Sequence, residues 1–117
     1  MKNFKKEGPR FIEINENNRI RIELSITKPL NQKWQLEEIL IQYETKVDNE
    51  WKEVVRYDNA HNFFHRDFIM PNGKKRKKKL KVFTNLQEAL QFARKDLMKN
   101  WAEYRMKWIK YYEKYKK

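Results

Sequence analysis

Thr84-Asn85-Leu86-Gln87-Glu88 divides the chain into two parts that follow different periodicities. Thr84 with Gln87 and Asn85 with Glu88 form overlapping capping boxes. In each, a short polar side chain accepts from a free first-turn amide and a longer one reaches back. A helix is expected to begin there. Beyond it, Leu86, Leu90, Ala93, Leu97, Trp101, Tyr104, Trp108, Tyr112 and Tyr115 recur at steps of three or four, the stripe of an amphipathic helix. Neither proline nor glycine interrupts the run, so one helix over 85–116 is predicted. At 1.5 Å per residue it spans roughly 45 Å. A compact domain of this length has a radius of gyration of about 13–14 Å, so the last turns are expected to overhang the sheet or to dock on another surface.

Before that boundary the period is two. Ile20, Ile22, Leu24 and Ile26 alternate with Arg19, Arg21, Glu23 and Ser25, which marks a strand with one buried face. Phe11-Ile12-Glu13-Ile14 precedes it across Asn15-Glu16-Asn17-Asn18, whose asparagines suit a hairpin turn. A third strand is expected within 34–45, with Glu37-Glu38 breaking the alternation as a bulge or an exposed start. Val47-Asp48-Asn49-Glu50 turns the chain into a fourth strand, 51–58. Simple alternation puts Trp51, Val55 and Tyr57 on one side and Val54, Arg56 and Asp58 on the other. Asn59-Ala60-His61-Asn62 reads as a loop, 63–70 as a fifth strand and Pro71-Asn72-Gly73 as a turn. The basic residues that follow lead into a sixth strand through Leu80, Val82 and Phe83. The expected architecture is α+β: a curved antiparallel sheet of five to six strands over about 10–83, packed by the C-terminal helix, in a single domain covering 1–117.

Composition fits that reading. Aromatics make up 15% of the 117 residues, enough ring area for a modest core, and two glycines and three prolines leave little room for linkers. The formal charge of +12 attracts polyanions, nucleic acid first. With no cysteine, disulfides, iron–sulfur clusters and cysteine-bound zinc are excluded. The start carries no apolar signal segment and no stretch approaches eighteen apolar residues, so a cytoplasmic protein with no membrane partner is expected. Ser25 is the only serine and no glycine-rich phosphate loop is present, so acyl transfer and nucleotide hydrolysis are not expected.

Chemistry concentrates in Val54–Asp67, which holds both histidines of the chain. Arg56 and Asp58 share a face of the fourth strand, and His65 and Asp67 share a face of the fifth. With a tight loop between the strands these groups converge, with His61 at the rim. Histidine exchanges protons near neutral pH, aspartate orients it, and arginine steadies phosphate charge. Arg56, Asp58, His61, His65 and Asp67 are therefore the candidate catalytic set for metal-independent RNA cleavage. In that scheme the two histidines share acid–base work and Arg56 or Arg66 stabilises the phosphate. The same residues also describe a structural knot of Asp–Arg pairs. A metal reading uses His61 and His65 with Asp58 or Asp67. Its His-x-x-x-His spacing suits a helix, and this segment looks extended, so neither metal nor cofactor is expected.

Lys74, Lys75, Arg76, Lys77, Lys78, Lys79 and Lys81 place seven basic residues in eight positions. Lysines protect an edge strand from aggregation, but this run exceeds that need and reads as a strip for phosphate contacts, RNA before DNA. In the tail, Trp108 to Lys117 interleaves aromatics with lysines. It suits docking on the sheet, on a second copy of the chain or on a partner protein. A non-catalytic nucleic-acid-binding module and a dimerisation module therefore stand beside the enzyme reading.

Arg56-Tyr57-Asp58-Asn59-Ala60-His61, followed by Phe64-His65-Arg66-Asp67, resembles the Arg-Tyr-Asp-Asn…Pro-His-x-His pattern of TumE-like proteins, candidate toxins of small toxin–antitoxin modules. It is closer to uncharacterised prokaryotic relatives with an Arg-Tyr-Asp-x-Ala-His…His-Arg-Asp core. The likeness covers roughly 34–105 and is specific only over 56–67. The second pair here is His-Arg-Asp rather than His-x-His, and the gap is shorter. The resemblance implies a sheet-plus-helix protein, a cytoplasmic prokaryotic setting and an antitoxin partner.

Overall fold

The computed structural model describes residues 3–60, 63–80, 83 and 85–116. Six strands form one antiparallel sheet in sequence order: β1 (Asn3–Asn15), β2 (Asn18–Lys28), β3 (Gln35–Val47), β4 (Glu50–Asp58), β5 (His65–Ile69) and β6 (Lys75–Lys79). Among the described residues a single helix, α1 (Leu86–Lys116), packs against β3 and β4. The α+β architecture expected from the change of period is thus the one observed.

Turn chemistry sets the hairpins. Asp48 and Asn49 both take positive φ, 52° and 66°, the conformation of the tightest two-residue hairpin turns. Asn15 Oδ1 accepts from the Asn17 amide at 2.9 Å and so closes the first turn. Gly73, at φ 87°, lets β5 return into β6, with the Met70 and Gly73 carbonyl and amide 2.8 Å apart. In β1 the register slips between Glu7 and Arg10, where Gly8 sits at φ 106°. A Cβ there would lie 2.6 Å from the Ile22 carbonyl oxygen, so only glycine fits.

Two bulges in β3 and β4 decide which side chains face the helix. Ser25 pairs with Glu38 and Ile26 with Leu36, leaving Glu37 as the extra residue, in the expected Glu37-Glu38 position. Tyr43 pairs with Val55 but Glu44 pairs with Glu53, so Val54 is extra. This second bulge corrects the alternation read for β4. Val55 and Tyr57 face the helix, whereas Trp51 lies on the opposite, open face, with its ring 4.0 Å from the Arg19 guanidinium. A period-two reading cannot register an inserted residue. A further correction concerns β6, which is the basic run itself rather than Leu80–Phe83. Val82 lies outside the described residues.

The core forms between the helix and one sheet face: Ile20, Ile41, Tyr43, Val55 and Tyr57 from the strands meet Ala89, Ala93, Leu97 and Trp108 from α1. Each fully buried aliphatic or aromatic side chain stabilises by about 1.5–3 kcal/mol. Asn85 caps the helix, accepting from the Glu88 amide at 2.9 Å; Thr84 lies outside the described residues. A third of the way along, Asp96 accepts from Tyr57 and Tyr104, each at 2.6 Å, and Arg66 donates to Tyr104 at 3.0 Å. This network ties α1 to β4 and β5.

The far end of the helix docks on the sheet. Strands of 13 residues extend about 43 Å, close to the length of α1, and the molecule measures 57 × 28 × 23 Å. At the far end Tyr112 donates to Asp48 in the β3–β4 turn, and Lys116 lies 3.7 Å from the same carboxylate. Long hairpins, invisible to a size estimate for a compact domain, supply the platform. No helix among the described residues is long and apolar enough to cross a membrane.

Candidate functional site

Register brings together most of the residues singled out in 56–67. Across the β4–β5 pair, Asp58 lies opposite His65 and Arg56 opposite Asp67. All four therefore project from the open face. His65 Nε2 is 3.1 Å from Asp58 Oδ1 and 3.5 Å from Asp67 Oδ2. The His65 and Asp67 side chains are only 3% and 5% exposed, and that of Asp58 is 16% exposed. The Phe63 ring lies against the imidazole, with centroids 5.2 Å apart. On the other side of the ring, Nδ1 is 3.5 Å from the Phe63 carbonyl oxygen.

The arginines do not join the cluster. Arg56 donates to Gln42 at 2.8 Å and to Glu53 at 2.9 Å, which turns its guanidinium toward β3. Arg66 projects from the helix face to Tyr104, because it sits one residue out of phase with His65 and Asp67. Neither arginine therefore occupies the phosphate-stabilising place that the acid–base scheme assigns. The alternative knot of Asp58 and Asp67 paired with Arg56 and Arg66 is also not what forms. His61 lies outside the described residues.

One side chain that pattern reading passed over, Asn59, positions this site. Asn59 Oδ1 accepts from the Ile39 amide and Asn59 Nδ2 donates to the Glu37 carbonyl, both at 2.9 Å. It thereby fills the backbone positions beside the Glu37 bulge and fixes the end of β4. Asp58 Oδ1 accepts from the Ala60 amide at 3.0 Å, which begins the loop with an Asx turn. The adjacency of Asn59 to Asp58 was the one available signal. A cleft of about 300 Å³ opens beside Asp58, bordered by Asn59, Ala60, Leu40 and Glu38.

The basic run flanks the cluster directly. β6 is the last strand of the sheet, and Lys77 lies opposite Asp67, Lys79 opposite His65 and Lys75 opposite Ile69. Lys75 and Lys77 thus share the open face with the cluster, while Arg76 and Lys78 project on the helix side, where Arg76 stands 5.6 Å from the Tyr111 ring. Lys74 to Lys78 are all exposed. Lys79 is described by its backbone alone, and Lys81 lies outside the described residues.

Further along the open face, buried polar groups are matched in pairs. Arg19 donates to Glu44 at 2.7 Å and lies between the Phe11 and Trp51 rings, 4.2 and 4.0 Å from their centroids. Gln42 donates to the other Glu44 oxygen at 2.6 Å.

An antiparallel sheet with a helix on one face and a His–Asp–Asp cluster beside a basic edge on the other defines the class of protein. Residues 4–115 match the family described as a domain of unknown function (DUF7718), and the chain belongs to it. No curated protein and no solved structure matches the chain.

Proposed function

We propose that this chain is a small basic protein that binds nucleic acid, RNA in particular, along the β6 edge. The observation that carries the reading is the exposure of Lys74, Lys75, Arg76, Lys77 and Lys78 on both sides of one edge strand. A phosphate backbone running along that edge meets cations on either side, and Lys107, 4.6 Å from the Phe68 ring, extends the basic surface on the helix side. Binding of this kind releases counterions, so affinity falls as salt rises, with a slope of about −0.7 per neutralised phosphate for a single strand. The preference for RNA follows the acid–base reading of the 54–67 segment; a cytoplasmic prokaryotic setting and an antitoxin partner rest on the resemblance of the 56–67 core to TumE-like proteins.

Fluorescence anisotropy with a labelled single-stranded RNA tests the reading. Wild type is expected to bind with strong salt dependence, and Lys75→Glu/Lys77→Glu/Lys78→Glu to lose at least about tenfold in affinity. Salt-independent binding, or equal affinity of the two proteins, refutes it.

A second reading, toxin-like RNA cleavage, draws on the closeness of Asp58, His65 and Asp67 to Lys77. With Arg56 held by Gln42 and Glu53, the charge on a phosphate falls to the lysines of β6. The test is growth on expression together with RNA integrity. Wild type is expected to be harmful and the His61→Ala/His65→Ala double variant harmless; if both are inert on RNA and harmless, the idea is lost.

A further inference from the structure

We propose that Asp58, His65 and Asp67 form a binding site for one divalent first-row transition-metal ion. The cluster is unbalanced. A single imidazole nitrogen, Nε2, faces two carboxylates, at 3.1 and 3.5 Å. That nitrogen carries either one hydrogen or one lone pair, so it satisfies at most one of them. The 3.5 Å approach is too long for a strong hydrogen bond. Asp67 is left poorly matched: it is buried, and its Oδ1 has no hydrogen-bond partner among the described residues. A buried carboxylate so poorly partnered is costly, and its other oxygen, Oδ2, faces the same nitrogen as Asp58.

A cation resolves the imbalance. Nitrogen and oxygen ligands bind zinc at about 2.0–2.2 Å, which puts neighbouring ligand atoms about 3.4 Å apart in a tetrahedral arrangement. The observed 3.1 and 3.5 Å separations bracket that value. One ligand atom from each of the three residues lies within 4.8 Å of the other two. Two carboxylates neutralise a divalent charge, and neutral imidazole with carboxylate oxygen suits zinc, iron or manganese better than calcium. The Nδ1 nitrogen, toward the Phe63 carbonyl, is then the protonated one, which leaves the Nε2 lone pair for the metal. Asp58, the most exposed of the three, borders the cleft, so an ion can enter there and keep a position open to solvent or substrate. The sequence offered these ligands but set the metal reading aside for its His-x-x-x-His spacing; the pairing of Asp58 with His65 across two strands is what brings them together.

This inference stands apart from RNA binding, since metal binding survives if the β6 strip proves inert. The full chain, stripped with a chelator and dialysed, is titrated calorimetrically with ZnCl₂ and separately with MnCl₂. One ion per chain is expected. Asp67→Asn and Asp58→Asn should each weaken binding at least about tenfold, since losing a charged ligand removes a bond that a neutral amide does not replace. Because Asp67 is buried and its variant can misfold, the more exposed Asp58→Asn serves as the second variant, with circular dichroism as the fold check. In wild type, paramagnetic Mn²⁺ should broaden the amide signals of Asp58, His65 and Asp67 first. Absence of binding at millimolar metal, an unchanged affinity in a folded Asp58→Asn, or broadening centred on another part of the surface overturns the proposal.

Discussion

On the helix face of the sheet, Ile20, Ile41, Tyr43 and Val55 are shut away from solvent beneath α1, whereas on the open face Gln42, Glu44, His65 and Asp67 are nearly as buried without a covering helix. The first face excludes water with a second layer of secondary structure. The second does so with long side chains that lie over their neighbours, as Arg19 does between Phe11 and Trp51. Apolar burial requires only volume and a partner surface. Buried charge requires a matched partner at each position, so the open face is stable only where every group is answered. It is answered at Arg19–Glu44 and at Arg56–Gln42, and it is not at Asp67. The place where pairing fails is the place where a ligand is proposed.

The largest effects should separate the two faces by mechanism. Leu97→Ala leaves a cavity beneath the helix and should cost about 2–5 kcal/mol in urea unfolding. Arg19→Ala leaves the buried Glu44 carboxylate with the neutral Gln42 amide but no paired cation and should cost about 3 kcal/mol, while Arg19→Leu/Glu44→Leu should recover to within about 1 kcal/mol of wild type. If Arg19→Ala costs less than about 0.5 kcal/mol, the open face is an ordinary solvated surface and the contrast collapses.

Alkaline pH probes the helix face through its tyrosines. Burial, above all, pushes the Tyr43 and Tyr104 hydroxyls up to about 12; for Tyr104 the hydrogen bond to Asp96 adds to it. Burial and Asp96 raise Tyr57 as well. Tyrosine titrates near 10 in an unfolded chain, so the folded state holds these protons more tightly. Their contribution is intact below about pH 10 and is lost as pH rises toward 12. Melting temperature should therefore fall across that window, and Tyr57→Phe/Tyr104→Phe should flatten the fall. An equally steep fall in the double variant would show that these hydroxyls do not link the helix to the sheet.

The smallest effect belongs to the far end of α1. Asp48→Asn weakens the hold on Tyr112 and Lys116 at an exposed turn. It should speed amide exchange in the last helical turns with almost no change in melting temperature. Unchanged exchange would mean that packing around Trp108 alone holds that end.

Much of the fold was legible because periodicity is a local property. Thr84–Glu88 announced the helix, and the alternation at 19–26 announced a half-buried strand. Glu37-Glu38 even marked a bulge. Trp51 was misplaced because the bulge at Val54 changes which face a residue occupies without changing the composition around it. The candidate site was legible only in part. Residue types and parity located Asp58, His65 and Asp67, but not the fate of Arg56 and Arg66, which depends on Gln42, Glu53 and Tyr104, distant in sequence. Asn59 read as a loop residue because its partners lie on β3.

By itself, the sequence determined the strand and helix periods, the basic charge and its concentration before the helix. These follow from residue type and spacing along a single segment. Tertiary structure decided which nitrogen faces which carboxylate, which arginine is already engaged, and that the lysine run is the sheet edge beside His65 and Asp67. Hydrogen-bond register between strands sets those outcomes, and register is a relation between segments that no one segment contains.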